Sequence, residues 1–236
     1  MSTSPPIVDR VAIRSLQCGQ VRPFRGPEEP SAIAKQPVAG AVRVHLLGLE
    51  GDAQADLSVH GGPDKAIHHY PHDHYAFWRE QLGDHPLLAD YGAFGENIAT
   101  EGLTEEAVCI GDRWRLGTAL VEVSQGRQPC WKLDHRFGGV PINAGVVRSR
   151  RAGWYYRVIE EGEVTAGDTM ALAARPWPDW SVRRVFGLLI AGEYKQDRAG
   201  LEALGEVSEL AAPWQLRRAK LLEMPGRKLM NGTIEV

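Results

Sequence analysis

The sequence predicts a mainly β protein: a barrel of short strands with a few short helices, followed by a small three-helix C-terminal appendage. Three observations carry this. Short apolar and alternating runs recur at close intervals through most of the chain, separated by Gly, Pro and Gly-Asp turns, which suggests an antiparallel barrel rather than alternating βαβ units. Clear helical periodicity in that region is confined to one segment. Beyond the Arg-Pro-Trp-Pro-Asp stretch of Arg175 to Asp179, the strand patterns give way to helical ones. The division expected is a barrel domain over 1–175 and a helical domain over 181–236.

Taken in order, Ile7 to Leu16 reads as a first strand, and Gly19 to Pro30 as a loop carrying Arg22 and Arg25. Ser31 to Val38 and Ala41 to Leu47 read as two short strands joined around Gly40. Gly48 to Asp52 is turn-rich, as is Gly61-Gly62-Pro63-Asp64. Ala66 to Tyr70 is a strand. Pro71 suits the first position of a helix because its missing N–H needs no partner there, and Tyr75, Trp78 and Leu82 share one face, so a helix is predicted over Pro71 to Leu82, ended by Gly83. A further strand group follows: Phe94 to Ile98, Val108 to Gly111, Arg113 to Leu116, and the half-buried Leu120 to Ser124. Short helices are expected over Pro129 to Phe137 and Asn143 to Arg151, then strands over Trp154 to Ile159 and Thr169 to Ala173. In the tail, Ser181 is the N-cap expected for Val182 to Ala191, before helices at Arg198 to Leu204 and Pro213 to Leu222.

Composition narrows the function classes. In 236 residues, 43% hydrophobic and 24% charged, a net charge of −3 gives no reason to expect nucleic acid or an anionic membrane as partner. The polar N-terminus does not resemble an export signal, and no apolar run is long enough to span a bilayer. Three well-separated cysteines, Cys18, Cys109 and Cys130, form no Cys-x-x-Cys pair, so a reducing cytoplasm is the expected location.

Among candidate chemical groups, Cys130 follows a strand end and is flanked by Arg127 and Lys132, and cationic neighbours favour the thiolate. A small buried hydrophobe is the alternative. His60, His68, His69, His72 and His74 are crowded together, but Pro71 separates the i, i+4 pair His68 and His72, and the first turn that holds His72 and His74 is expected to be exposed, so zinc is not expected. No Gly-x-Gly-x-x-Gly or phosphate-loop pattern occurs, so no NAD is expected and redox chemistry would draw electrons from a partner or external reductant. Arg148, Arg150, Arg151 and Arg157 read either as a solvated face or as a site for an anionic cofactor tail or an acidic electron donor.

Several segments together resemble the MOSC family, named for the C-terminal domain of molybdenum cofactor sulfurase, and within it the bacterial hydroxylaminopurine resistance branch. They are Pro30-Ser-Ala-Ile-Ala-Lys35, Gly48-Leu-Glu-Gly-Asp52, His60-Gly-Gly-Pro-Asp-Lys65, His69-Tyr-Pro-His-Asp-His-Tyr75, Phe94-Gly-Glu-Asn97, Gly102-Leu-Thr-Glu105 and Val123-Ser-Gln-Gly-Arg-Gln-Pro-Cys130. Each string is weak alone; their order and number make the match specific, from about Gly19 to about Asp168. Gly126 stands where the branch commonly has Pro.

The resemblance implies a MOSC-type barrel that holds a molybdenum cofactor, with Cys130 as ligand to the metal. Thiolate suits a soft centre. By motif position Ser31, Lys35, Lys65, Asn97 and Arg127 would bind the cofactor, with Asp52 and His60 shaping the pocket. The implied activity is reduction of N-hydroxylated small molecules such as hydroxylaminopurines, a detoxification, with electrons from an external donor or reductase. Asp52, Asp56 and His60 are candidate proton donors among which the sequence does not choose. Two rivals remain open: a carrier of the cofactor, or of sulfur as a persulfide on Cys130, and a domain that binds a phosphorylated small molecule without metal. The chain is too short to contain the sulfurase's pyridoxal-phosphate domain. Trp177, Trp180 and Trp214 are compatible either with a homodimer through the tail or with a tail packed on its own barrel.

Overall fold

The computed structural model describes residues 8–26, 28–55 and 61–224. In chain order the strands are β1 (Arg10–Cys18), β2 (Arg22–Pro23), β3 (Pro30–Ser31), β4 (Gln36–Pro37), β5 (Ala41–His45), β6 (Gly48–Leu49), β7 (Ile67–His69), β8 (Ile98–Thr100), β9 (Arg113–Leu116), β10 (Ala119–Gly126), β11 (Trp154–Glu160), β12 (Gly162–Thr165) and β13 (Thr169–Ala174). The helices are α1 (His74–Leu82), α2 (Trp131–Arg136), α3 (Ile142–Ser149), α4 (Val182–Leu189), α5 (Arg198–Ala203) and α6 (Ala212–Glu223).

Seven strands close into a barrel in the order β1, β13, β9, β10, β11, β7, β8 and back to β1, with β4 continuing along the end of β1. Closure pairs the edges that an open sheet would leave exposed. Strands β12, β5 and β6 form a smaller sheet beside it. The barrel is not wholly antiparallel: β7 and β8 run parallel, His69 opposite Ile98. Parallel neighbours require a crossover connection, and the segment that holds α1 supplies it. Ile13, Ile67, Ile98, Trp114, Leu116, Val121, Val123, Trp154 and Tyr156 are all fully buried.

Four local expectations are corrected. Ser31 to Val38 is not one strand, because Ser31 Oγ accepts the Ile33 N–H and Lys35 N–H bonds Ile33 C=O, local bonds that bend the chain away from a ladder. Val108 to Gly111 contributes a single bridge, from Cys109 to Ser181, because Asp112 draws the Cys109 N–H into a turn. Helix α1 begins at His74 rather than Pro71, since Pro71 and His72 accept turn bonds from His74 and Tyr75. Strand β10 is buried along its whole length, not half-buried.

Part of that last difference comes from the tail. Ser181 caps α4 by accepting the Arg184 N–H at 3.2 Å, as its position predicts. Ala211 N–H then bonds Ser124 C=O on β10, and Trp214 of α6 covers the end of that strand, 3% exposed. Trp180 is buried as well, at 8%. No helix among the described residues is long and apolar enough to cross a membrane.

Candidate functional site

Cys130 sits where the exit from β10 turns into α2; its backbone is extended and its C=O accepts the Leu133 N–H. The thiol is half-buried on the wall of a cleft of about 610 Å³, counted to its open mouth. Every described residue that the sequence assigns to the site lines this cleft: Ser31, Lys35, Asp52, Lys65, Asn97, Arg127 and Cys130. Asp56 and His60 lie outside the described residues.

One wall is a buried polar network. Lys35 Nζ lies 2.5 Å from both oxygens of Asp52, with side-chain exposures of 8% and 4%. Asp52 also accepts the Gly19 N–H at 2.7 Å and Asn97 Nδ2 at 2.8 Å. Asn97 in turn accepts the His68 N–H through Oδ1 and donates to Gln17 C=O. A carboxylate so occupied fixes the positions of Lys35 and Asn97, and the lysine's charge is met inside the protein. Lys65, Arg127 and Lys132 add further cationic side chains to the cleft lining.

The opposite wall follows from strand alternation. On β11, Trp154, Tyr156 and Val158 are buried, leaving Tyr155 on the other face, where His68 of β7 is its register partner, rings 5.0 Å apart. Arg127 is 6% exposed and lies beside Tyr155, where its charge partly offsets the upward push that burial gives the Tyr155 hydroxyl. Its N–H is held by Gly153 C=O; Gly153 has φ +69°, and a Cβ there would fall 2.4 Å from His69 C=O, so glycine is required. His68 is pushed well below its ordinary pKa by burial, then by the charge of Arg127, and its Nε2 has no partner among the described residues.

The histidine cluster disperses. His69 is held in the barrel by Tyr156 OH and Thr100 Oγ1, and burial pushes it down to about 3, so it is neutral at neutral pH. His74 is buried, not exposed in a first turn, and its Nε2 lies 2.6 Å from Glu105. The arginine cluster disperses too: Arg157 pairs with Asp64 and Glu122, Arg150 with Glu193, and Arg151 lies over the Phe77 ring. The sequence assigned no site role to His68 or Tyr155, because the pairing of β7 with β11, which brings them together, is not visible in either segment alone. Lys132, read there only as a neighbour of the thiol, lines the cleft and donates to Pro30 C=O.

The other cysteines are different in kind. Burial, then Asp52, pushes Cys18 up to about 11, and burial, then Asp112, pushes Cys109 up to about 12.

Comparison with known proteins now bears on this geometry. The model of the MOSC domain matches residues 56–171, a span that contains Asn97, Arg127 and Cys130. The chain belongs to the MOSC domain family. Protein YiiM of Escherichia coli is 46% identical over 147 residues, 62% of this chain and 66% of that protein. A Gibberella moniliformis protein named "Reductase" is 45% identical over 161 residues, 68% of this chain but only 28% of that protein. Among solved structures, YiiM from Geobacillus stearothermophilus superposes with a TM-score of 0.76 at 31% identity, covering 90% of this chain and 99% of that one. As a MOSC protein, the chain has the seven-stranded barrel and C-terminal helices of its structural relatives, with Cys130 at the barrel rim.

Proposed function

We propose that this MOSC protein is a molybdenum-cofactor-dependent reductase of N-hydroxylated compounds, hydroxylaminopurine-type base analogues among them. The observation that carries the reading is the placement of the Cys130 thiol in a cleft with Lys65, Arg127 and Lys132, beside the Asn97 amide. This donor set fits the cofactor: a thiol suits the soft metal, and cations suit a pterin phosphate. MOSC membership and the likeness to a protein named "Reductase" support it.

Cys130 would hold the metal, and Arg127, Lys65 and Lys132 the phosphate, with Ser31 and Asn97 completing the polar lining. When bound, the cofactor supplies the two electrons that convert N–OH to N–H. The overall change takes two electrons from an external donor and two protons, and releases water. Asp52, occupied by four donor contacts, is better suited to positioning Lys35 and Asn97 than to giving a proton, which leaves His60 and Asp56 as the proposed donors. The proposed location is the cytoplasm.

The test uses protein from a molybdate-supplied, cofactor-competent host. Elemental analysis should find molybdenum, and reduced viologen should drive amine formation from 6-hydroxylaminopurine. Cys130→Ser should lose both. Retention of both by the variant would sink the mechanism, and added sulfur on Cys130 without turnover would replace it with a carrier role.

A further inference from the structure

A second cleft adjoins the thiol from the other side, between the barrel and α6, with a volume of about 1070 Å³ counted to its mouth. Cys130, Lys65 and Tyr155 line both clefts, so the thiol stands on the wall between them. Three features of the second cleft point to one kind of ligand.

Gln125 lines it, is 2% exposed, and has no partner for Oε1 among the described residues. An unmet buried acceptor is costly, and a ligand N–H would offset that cost. Tyr155 and the nearly buried Trp214 give the cleft an aromatic wall beside it. Arg217 and Lys220 project from α6 into the same lining, which contains no carboxylate among the described residues, although the whole chain carries a net charge of −3. Cations gathered without acidic residues favour an anionic group.

We propose that the second cleft is the substrate subsite, and that it takes phosphorylated N-hydroxylated nucleosides in preference to free bases. Gln125 accepts an N–H of the base, and Arg217 and Lys220 hold the phosphate. This rests on the reductase reading for the reaction but not for the binding. The C-terminal helices then set substrate choice, while the barrel supplies the metal ligand.

The test is isothermal titration of the full-length protein with N6-hydroxyadenosine and with its 5′-monophosphate, which needs no turnover. The monophosphate should bind about tenfold or more tightly. Arg217→Ala with Lys220→Ala should erase that preference and leave nucleoside affinity unchanged, and Gln125→Met should weaken both ligands. Since Arg217 also bonds Leu189 C=O, Lys220→Glu alone is the second variant: on an exposed position, it should reduce the preference without loosening α6. Equal affinities in the unaltered protein, or a preference that survives both variants, would overturn the proposal, the latter placing the phosphate in the first cleft. Intact preference with no reductase rate on any substrate would reject the reductase reading and leave the subsite standing.

Discussion

The Asp52 network makes a quantitative prediction. Asp52→Asn keeps the side chain's shape but removes the charge opposite Lys35, whose ammonium is 8% exposed and contacts both carboxylate oxygens at 2.5 Å. It also sets an amide N–H against Lys35 or Asn97, both of which already donate at this point. Removing one partner of a buried pair costs about 3–5 kcal/mol. Because Lys35 and Asp52 also border the open cleft, water softens the loss toward the lower end, about 3 kcal/mol. For a chain of this size that corresponds to a fall in Tm of about 6–12 °C. Urea unfolding and thermal melts measure it, and adding Lys35→Met should recover most of the loss, since the stranded charge is then gone. A single variant melting within about 2 °C of the unaltered protein would refute the reasoning, as would a double variant no more stable than Asp52→Asn.

Other expectations follow from neighbouring features. Iodoacetamide at pH 7.5 should label Cys130 first, because Cys18 and Cys109, pushed up to about 11 and about 12, hold at most about one thiolate in a few thousand; Cys18 labelling should accelerate as pH rises, and mass mapping would expose any other order. Burial alone would raise the Glu105 carboxyl, but His74 and the Gly153 N–H hold it below its ordinary 4.5. Its stabilisation is therefore present above about 4.5 and lost as pH falls through the lowered value. Glu105→Gln should cost about 3 kcal/mol at pH 7, with the gap narrowing below pH 4, and a pH-independent gap in urea melts would contradict this. A Cβ on Gly126 would lie 3.0 Å from Trp214 Cη2, so Gly126→Ala should cost about 1–2 kcal/mol. Trp214→Phe should absorb much of that cost in a double-mutant cycle; additive effects would mean that the tail does not press on β10 as described.

The division between sequence and structure can be read residue by residue. Local chemistry determined the strand-rich barrel region, the Ser181 cap, the end of α1 at Gly83 and the position of Cys130 after a strand. These depend on turns, caps and periodicity, which neighbours in sequence set among themselves. The order of motifs likewise named Ser31, Lys35, Lys65, Asn97 and Arg127, all of which the fold brings to one cleft with Cys130. Only tertiary structure decided the rest. The parallel pairing of β7 with β8, the facing of His68 and Tyr155, the neutralisation of Lys35 by Asp52 and the burial of both faces of β10 all arise from contacts between distant segments. Alternation along a strand tells which residues share a face, but what covers that face is fixed by barrel closure and by where the C-terminal helices come to rest.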